Sequence, residues 1–187
     1  MEEEVQLYLD DAKERMEKSV THLERELIKI RAGKAGPQML DGIMVDYYGT
    51  MTPLSRVSNI STPDPRTIRV QPWEKAMIGP IQKAIMVANL GLNPTNNGEQ
   101  VIINVPVLTE ERRIELVKQV KQECEYTKVS IRTARRETNE EMKRLQKEGL
   151  SEDLERDAED DVQKLHDEFV KRVDEILSEK EESIMTV

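Results

Sequence analysis

Residues 33–37 read Gly33-Lys34-Ala35-Gly36-Pro37, and the fold turns on what lies to either side of them. Upstream, Val5, Leu9, Ala12, Met16, Val20, Leu23, Leu27 and Ile30 recur every three or four residues with no Gly or Pro between them. That is the period of one buried helical stripe, so residues 3–32 are expected to form a single long helix. Two glycines then relax the backbone, and Pro37, lacking an N–H, cannot continue it. Downstream the helical period disappears. Most of the chain's eight glycines and eight prolines fall within residues 38–105. Between them lie short β-prone runs at Gly42–Tyr48, Arg56–Ile60, Thr67–Gln71 and Gln100–Val105, with a turn signal at Asn97-Gly98. Pro80–Leu90 reads as a short helix, with Pro80 in its first turn and Gly91 as its C-terminal cap.

Helix resumes at Leu108, with Thr109 as N-cap and Glu110 and Glu111 where the helix dipole favours negative charge. Val117, Val120, Cys124, Ile131, Ala134, Thr138 and Leu145 form its stripe, with Thr127 and Glu141 as weak positions. Gly149 ends it. Ser151 caps a third helix that turns Leu154, Ala158, Val162, Leu165, Phe169, Val173 and Ile176 inward. At 1.5 Å per residue the three helices run roughly 45, 60 and 50 Å, and none hides its stripe alone. The expected fold is therefore α+β: an elongated antiparallel three-helix bundle, residues 1–33 and 106–187, with a small mixed α/β domain, residues 34–105, inserted between helix one and helix two. Paired Gly- and Pro-rich connections at 32–37 and 105–108 suggest a hinge carried by Gly33, Gly36, Pro37, Val105 and Pro106.

Composition agrees. Charged residues make up 35% of the chain and aromatic residues 3%, a profile of long helices. The net charge of −9 argues at first against a nucleic-acid partner, but residues 151–187 alone carry fourteen acidic and five basic side chains. A basic face elsewhere stays open. A single cysteine, Cys124, allows neither an intrachain disulfide nor a thiolate cluster. No apolar run approaches the ~20 residues of a membrane span, and Met1-Glu2-Glu3-Glu4 is unlike a secretory signal. A cytoplasmic chain is expected, with no metal and no cofactor.

Nothing in the sequence looks catalytic. His22 and His166 sit among charged neighbours and read as surface residues, Cys124 falls on a buried stripe, and Asp160-Asp161 reads as a solvated face. No Gly-rich loop cradles a phosphate. The basic cluster of helix two differs. Lys128, Arg132 and Arg135, at i, i+4 and i+7, share a face with Asn139, and Arg136 lies beside them. Arginine forks grip phosphates and stack on bases. Spacing alone leaves two readings open, an RNA-contacting face or an ion-paired one neutralised by Glu137, Glu140 and Glu141. Arg31, Lys34, Arg112 and Arg113 form a second basic group beside the connections. Two rival classes remain: a scaffolding coiled coil, which gives no reason for the inserted domain, and an enzyme housed in residues 38–105, which lack a clustered acid–base pair.

Several ordered stretches resemble one family. They are Ile30–Pro37, Leu40-Asp41-Gly42-Ile43, Tyr47-Tyr48-Gly49-Thr50, Leu90-Gly91-Leu92-Asn93-Pro94, Leu108–Arg113, Arg132–Asn139 and Asp161-Val162-Gln163-Lys164-Leu165. In this order and spacing, from about Asp11 to the C-terminus, the chain is similar to bacterial ribosome recycling factors. The resemblance implies a non-enzymatic, monomeric factor that binds post-termination ribosomes. With elongation factor G and GTP, such a factor splits them into subunits, releasing messenger and transfer RNA. The bundle would contact large-subunit rRNA, and the GTPase activity would belong to the partner. By position, Arg132 and Arg135 fall on the family's RNA-contacting arginines, and Arg31 and Arg113 on basic positions of its RNA-facing surface. Lys34 stands where arginine is usual and Gly36 where serine or asparagine is usual. The acidic third helix is then expected to face away from RNA.

Overall fold

The computed structural model describes residues 1–30, 33–88 and 91–186, and the chain divides into two compact units, Met1–Ala32 with Glu110–Val187, and Gly33–Thr109. The first unit is three helices, α1 (Glu2–Lys29), α4 (Glu110–Lys147) and α5 (Glu152–Met185). Cross-helix ion pairs and a hydrogen bond give their directions. Arg15 meets Glu137 at 2.6 Å and Tyr8 meets Arg144 at 2.8 Å, so α1 and α4 run antiparallel. Lys128 meets Asp174 and Lys121 meets Glu181, so α4 and α5 do too.

Buried stripes hold the unit together. Ala12, Met16, Val20, Leu23 and Leu27 are buried on α1, and Ala158, Val162, Phe169, Val173 and Ile184 on α5. Phe169, the chain's one phenylalanine, is fully buried, and the Arg172 guanidinium lies 5.1 Å from its ring centre. Arg172 also forks onto Glu17 at 2.9 and 3.1 Å, which fixes α5 against α1 at the same level. The α4–α5 turn is closed by Gly149, whose φ of +115° favours glycine. Ser151 then caps α5 by accepting from the Leu154 N–H.

Several expectations need correction here. Helix α1 stops at Lys29, since Ile30 is already extended; Arg31 and Ala32 lie outside the described residues. On α4 the stripe passes through Met142, fully buried, and leaves Glu141 on the flank. A 3.6-residue period drifts against a strict 3.5 repeat, so 134, 138, 142 and 145 keep facing the core where a heptad count lands on 141. Leu154, in the first turn of α5, is exposed, and Leu150 in the preceding turn takes its place in a core with Met142, Leu145 and Ala158. His166 is not a surface residue, since its side chain is only 14% exposed.

The second unit combines a four-stranded antiparallel sheet with a two-stranded hairpin and two α-helices, one of a single turn. The hairpin is β1 (Met44–Tyr47) and β2 (Thr50–Pro53), followed by the one-turn α2 (Leu54–Val57). The sheet has the order β3-β4-β6-β5, from β3 (Ser58–Asp64), β4 (Thr67–Pro72), β5 (Pro94–Asn96) and β6 (Val101–Asn104). Helix α3 (Ile78–Val87) sends Ile81 and Ile85 into a core with Val45, Ile68, Val70, Val101 and Ile103. Arg56 and Val57 are helical, where a strand was expected. Helix α3 ends at Val87; Leu90, its expected last residue, lies outside the described residues.

The two connections start from one point of this unit. The Ala35 N–H donates to the Pro65 carbonyl and the Val105 N–H to the Arg66 carbonyl, each at 2.7 Å, so both chain ends are tied to the β3–β4 turn. Pro37 opens a 3₁₀ turn, Pro37–Leu40, that carries Leu40 into the core. Gly36, Pro37 and Val105 therefore belong to the body of the unit. Gly36, at φ −155°, adopts ordinary extended backbone.

Candidate nucleic-acid interface

Helix α4 presents two kinds of cation because a helix surface turns about 100° per residue. Lys118, Gln122, Glu125, Val129, Arg132, Arg136, Glu140 and Lys143 are all exposed and recur every three or four residues, forming the outer ridge. Lys121, Lys128 and Arg135 form the neighbouring row, turned toward α5, with the half-buried Asn139 next along the helix.

The cluster read from spacing thus divides. The Arg132 side chain is 49% exposed and its Nη1 lies 3.2 Å from the Glu125 carboxylate. Arg136 is 69% exposed, with Glu140 at 3.9 Å. Exposed pairs of this sort contribute about 0–1 kcal/mol, so either guanidinium can exchange its partner for a phosphate at small cost. Lys128 is different: only 20% exposed, it holds Asp174 of α5 at 2.6 Å, and its charge serves the α4–α5 seam. Arg135 also reaches α5, but its Nη1 donates to the neutral Gln163 Oε1 at 2.9 Å. That contact is neutral, although the Arg135 charge also reaches the Asp167 carboxylate beyond Gln163 and, after the His166 and Gln163 hydrogen bonds, helps to hold it below its ordinary value.

The expected neutralising glutamates are mostly engaged elsewhere. Glu137 faces α1 and binds Arg15, and Glu141 pairs with Arg144, whose guanidinium holds the Glu141 carboxyl below its ordinary value. Only Glu140 turns to the cluster. Acidic side chains of α5 do reach one flank of the basic row, through Asp174 and Glu181, so the acidic helix does not stand wholly apart from it.

In the second basic group, Arg31 lies outside the described residues, Lys34 is exposed, and Arg112 pairs with Glu115 at 2.9 Å. Arg113 is half-buried, with its Nε lacking a hydrogen-bond partner. Sequence reasoning gave Gln163 no role. No sequence signal marked it, because the α4–α5 register appears only in the folded structure, where Lys121 meets Glu181, Lys128 meets Asp174 and Arg135 reaches back to Gln163. Gln163 in turn donates from Nε2 to Asp167 Oδ1 at 2.9 Å, and His166 Nδ1 lies 2.9 Å from the same oxygen. The hydrogen bonds from His166 and Gln163 hold the Asp167 carboxyl below its ordinary value. Cys124, 1% exposed beneath this row, has its thiol pushed up to about 11 by burial. Among the described residues no three His, Cys, Asp or Glu side chains gather as a metal site.

Known proteins match this architecture along its whole length. The family model for ribosome recycling factor matches residues 23–185. The ribosome-recycling factor of Flavobacterium psychrophilum is 56% identical over 187 residues, covering all of both chains. That of Porphyromonas gingivalis is 50% identical over 185 residues, covering 98% of this chain and all of its own. Among solved structures, the solution structure of the ribosome recycling factor superposes with a TM-score of 0.79 at 34% identity, covering 98% of each chain. A chain from models for the T. thermophilus ribosome recycling factor and the E. coli elongation factor G bound to the E. coli post-termination complex gives 0.63 at 41%, covering 97% and 99%. A helical bundle carrying an inserted sheet domain, a family-model match over residues 23–185 and full-length relatives at about half identity lead to one statement: this chain belongs to the ribosome recycling factor family.

Proposed function

We propose that this chain recycles ribosomes: it docks on the post-termination ribosome and, with elongation factor G and GTP, drives its separation into subunits, so that messenger and transfer RNA are released. Family membership supports the activity, and the solved relative bound with elongation factor G to a post-termination complex supports the partners. The observation that carries the docking mode is the outer ridge of α4, where Arg132 and Arg136 hold only exposed, exchangeable partners. These two and Arg135 are the phosphate-binding set for large-subunit rRNA, with Arg31, Lys34 and Arg113 as a second contact. Lys128 supports the set from the seam.

The chain works as a monomer in the cytoplasm and hydrolyses nothing; GTP is the partner's. No helix among the described residues is long and apolar enough to cross a membrane. The inserted unit swings on its two connections. Ala35 and Val105 are bonded within that unit, so of the expected hinge positions Gly33 and Pro106 are the ones left to take up the motion. Ribosome co-sedimentation of Arg132→Ala tests the docking mode. A loss of about 1–3 kcal/mol in binding, with helix content unchanged, is expected. Unchanged affinity at moderate salt would remove Arg132 from the interface.

A further inference from the structure

Arg135 is the one cation of the α4 cluster whose hydrogen-bond partner across the seam is neutral. Gln163 Oε1 accepts from Arg135 Nη1 at 2.9 Å, while Gln163 Nε2 donates to Asp167 Oδ1 at 2.9 Å. The two ends of the amide therefore agree on one orientation. A flipped amide would set its NH₂ against guanidinium donors and its oxygen against a carboxylate, and both contacts would be repulsive. Asp167 is held in turn by His166. An ionised carboxylate can only accept, so Nδ1 of His166 is the protonated nitrogen at 2.9 Å, and the 3.4 Å approach of Gln163 Nε2 to it is not a hydrogen bond. The His166 side chain is 14% exposed and its Nε2 is buried without a hydrogen-bond partner.

We propose that Gln163, held by Asp167 and His166, is a positioning residue for Arg135: it sets the guanidinium for an RNA phosphate through a neutral hydrogen bond. The Asp167 carboxylate behind it feels the Arg135 charge without forming an ion pair with it. The inference rests on the reading of Arg135 as an RNA contact. The residue type matters. A carboxylate in the same place would pair with the guanidinium and cancel the charge that phosphate must meet, as Asp174 does for Lys128. An amide oxygen fixes direction alone. The rest of the Arg135 guanidinium stays available to a phosphate, and the entropy cost of ordering it has been met before binding.

The test is a double-mutant cycle on binding to purified large ribosomal subunits over a salt series, using the full-length chain, with Tm recorded for each variant. Arg135→Ala is expected to weaken binding about tenfold or more and to make the salt slope shallower by roughly one phosphate contact. Gln163→Ala should weaken binding about three- to tenfold, the effect of one lost hydrogen bond, with the slope unchanged because no charge is lost. In the Arg135→Ala background Gln163→Ala should do nothing. Gln163→Glu should reproduce the shallower slope with Arg135 still present. Equal losses from Gln163→Ala in both backgrounds, or a Gln163→Glu slope like that of the unaltered chain, would overturn the positioning role while leaving Arg135 as a contact. If Arg135→Ala itself leaves affinity unchanged, the RNA-contact reading of Arg135 fails, and the inference falls with it.

Discussion

Arg132 and Arg135 lie three residues apart on α4 and meet different company: one an exposed carboxylate, the other a fixed amide. Side-chain type was legible in the sequence, since arginine at this spacing declares a face. Its division into an outer ridge and a seam row was not, because that depends on which neighbouring helix each side chain meets. A second residue-scale feature lies in the inserted unit. Tyr48 adopts φ +49°, rare for a residue with a Cβ, and its hydroxyl donates to Glu74 at 2.7 Å. Tyr47 donates to the other oxygen of Glu74 at 2.8 Å, and the two rings meet edge to face. Both hydroxyls are held protonated, chiefly by the hydrogen bond to Glu74, so both tyrosines titrate above their ordinary value of 10.0. Glu74 is held below its ordinary 4.5 by the same bonds, that from Tyr48 first. The signs follow from linkage. The Glu74 contribution is present above its ordinary value and lost as pH falls through its lowered one; the tyrosine contribution is present below 10.0 and lost as pH rises through the raised values. Tyrosinate absorbance should show two groups moving to lower pH in Glu74→Ala, and superimposable curves would contradict the contact.

Elements show where periodicity suffices and where it fails. The three long helices were readable because each sustains a stripe over many turns, and Ser151 and Gly149 mark a turn in the expected way. Strands β2 and β5 escaped notice, and β3 runs to Asp64 past its expected end, for one reason: Pro53, Pro63 and Pro94 lie in them. In the four-stranded sheet β3 and β5 are edges, where a residue without an N–H is tolerated. Proline is thus compatible with edge strands here, and in the inner strand β4 it appears as the last residue, Pro72. The end of α1 was misjudged because nothing in Ile30 signals a stop. At the connections one glycine is required. Gly33 has φ +71°, and a Cβ there would lie 2.5 Å from Leu108 Cγ. Gly33→Ala should cost about 1–3 kcal/mol through strain and crowding, read as a lower midpoint in denaturant. Gly36→Ala, at an extended position, should cost much less. Equal midpoints for the two variants would refute this account of the connection.

At the scale of the whole molecule the chain joins two separately packed units through two connections, and the bundle unit carries the arginines. The division was foreshadowed by the change from helical period to turn-rich texture at Gly33–Pro37, and the function by ordered stretches no single one of which is diagnostic. What periodicity could not supply was the partnering within the site, above all Gln163, whose role depends on the register of two helices far apart in sequence. The central claim is that this chain splits ribosomes by docking through α4. It is tested most directly by light scattering of post-termination ribosomes mixed with the chain, elongation factor G and GTP. The account predicts a fall in scattering that needs all three components and that slows with Arg132→Ala. No fall, with the chain folded and the partners matched to it, would contradict the recycling function, and a fall of undiminished rate with Arg132→Ala would contradict docking through the outer ridge of α4.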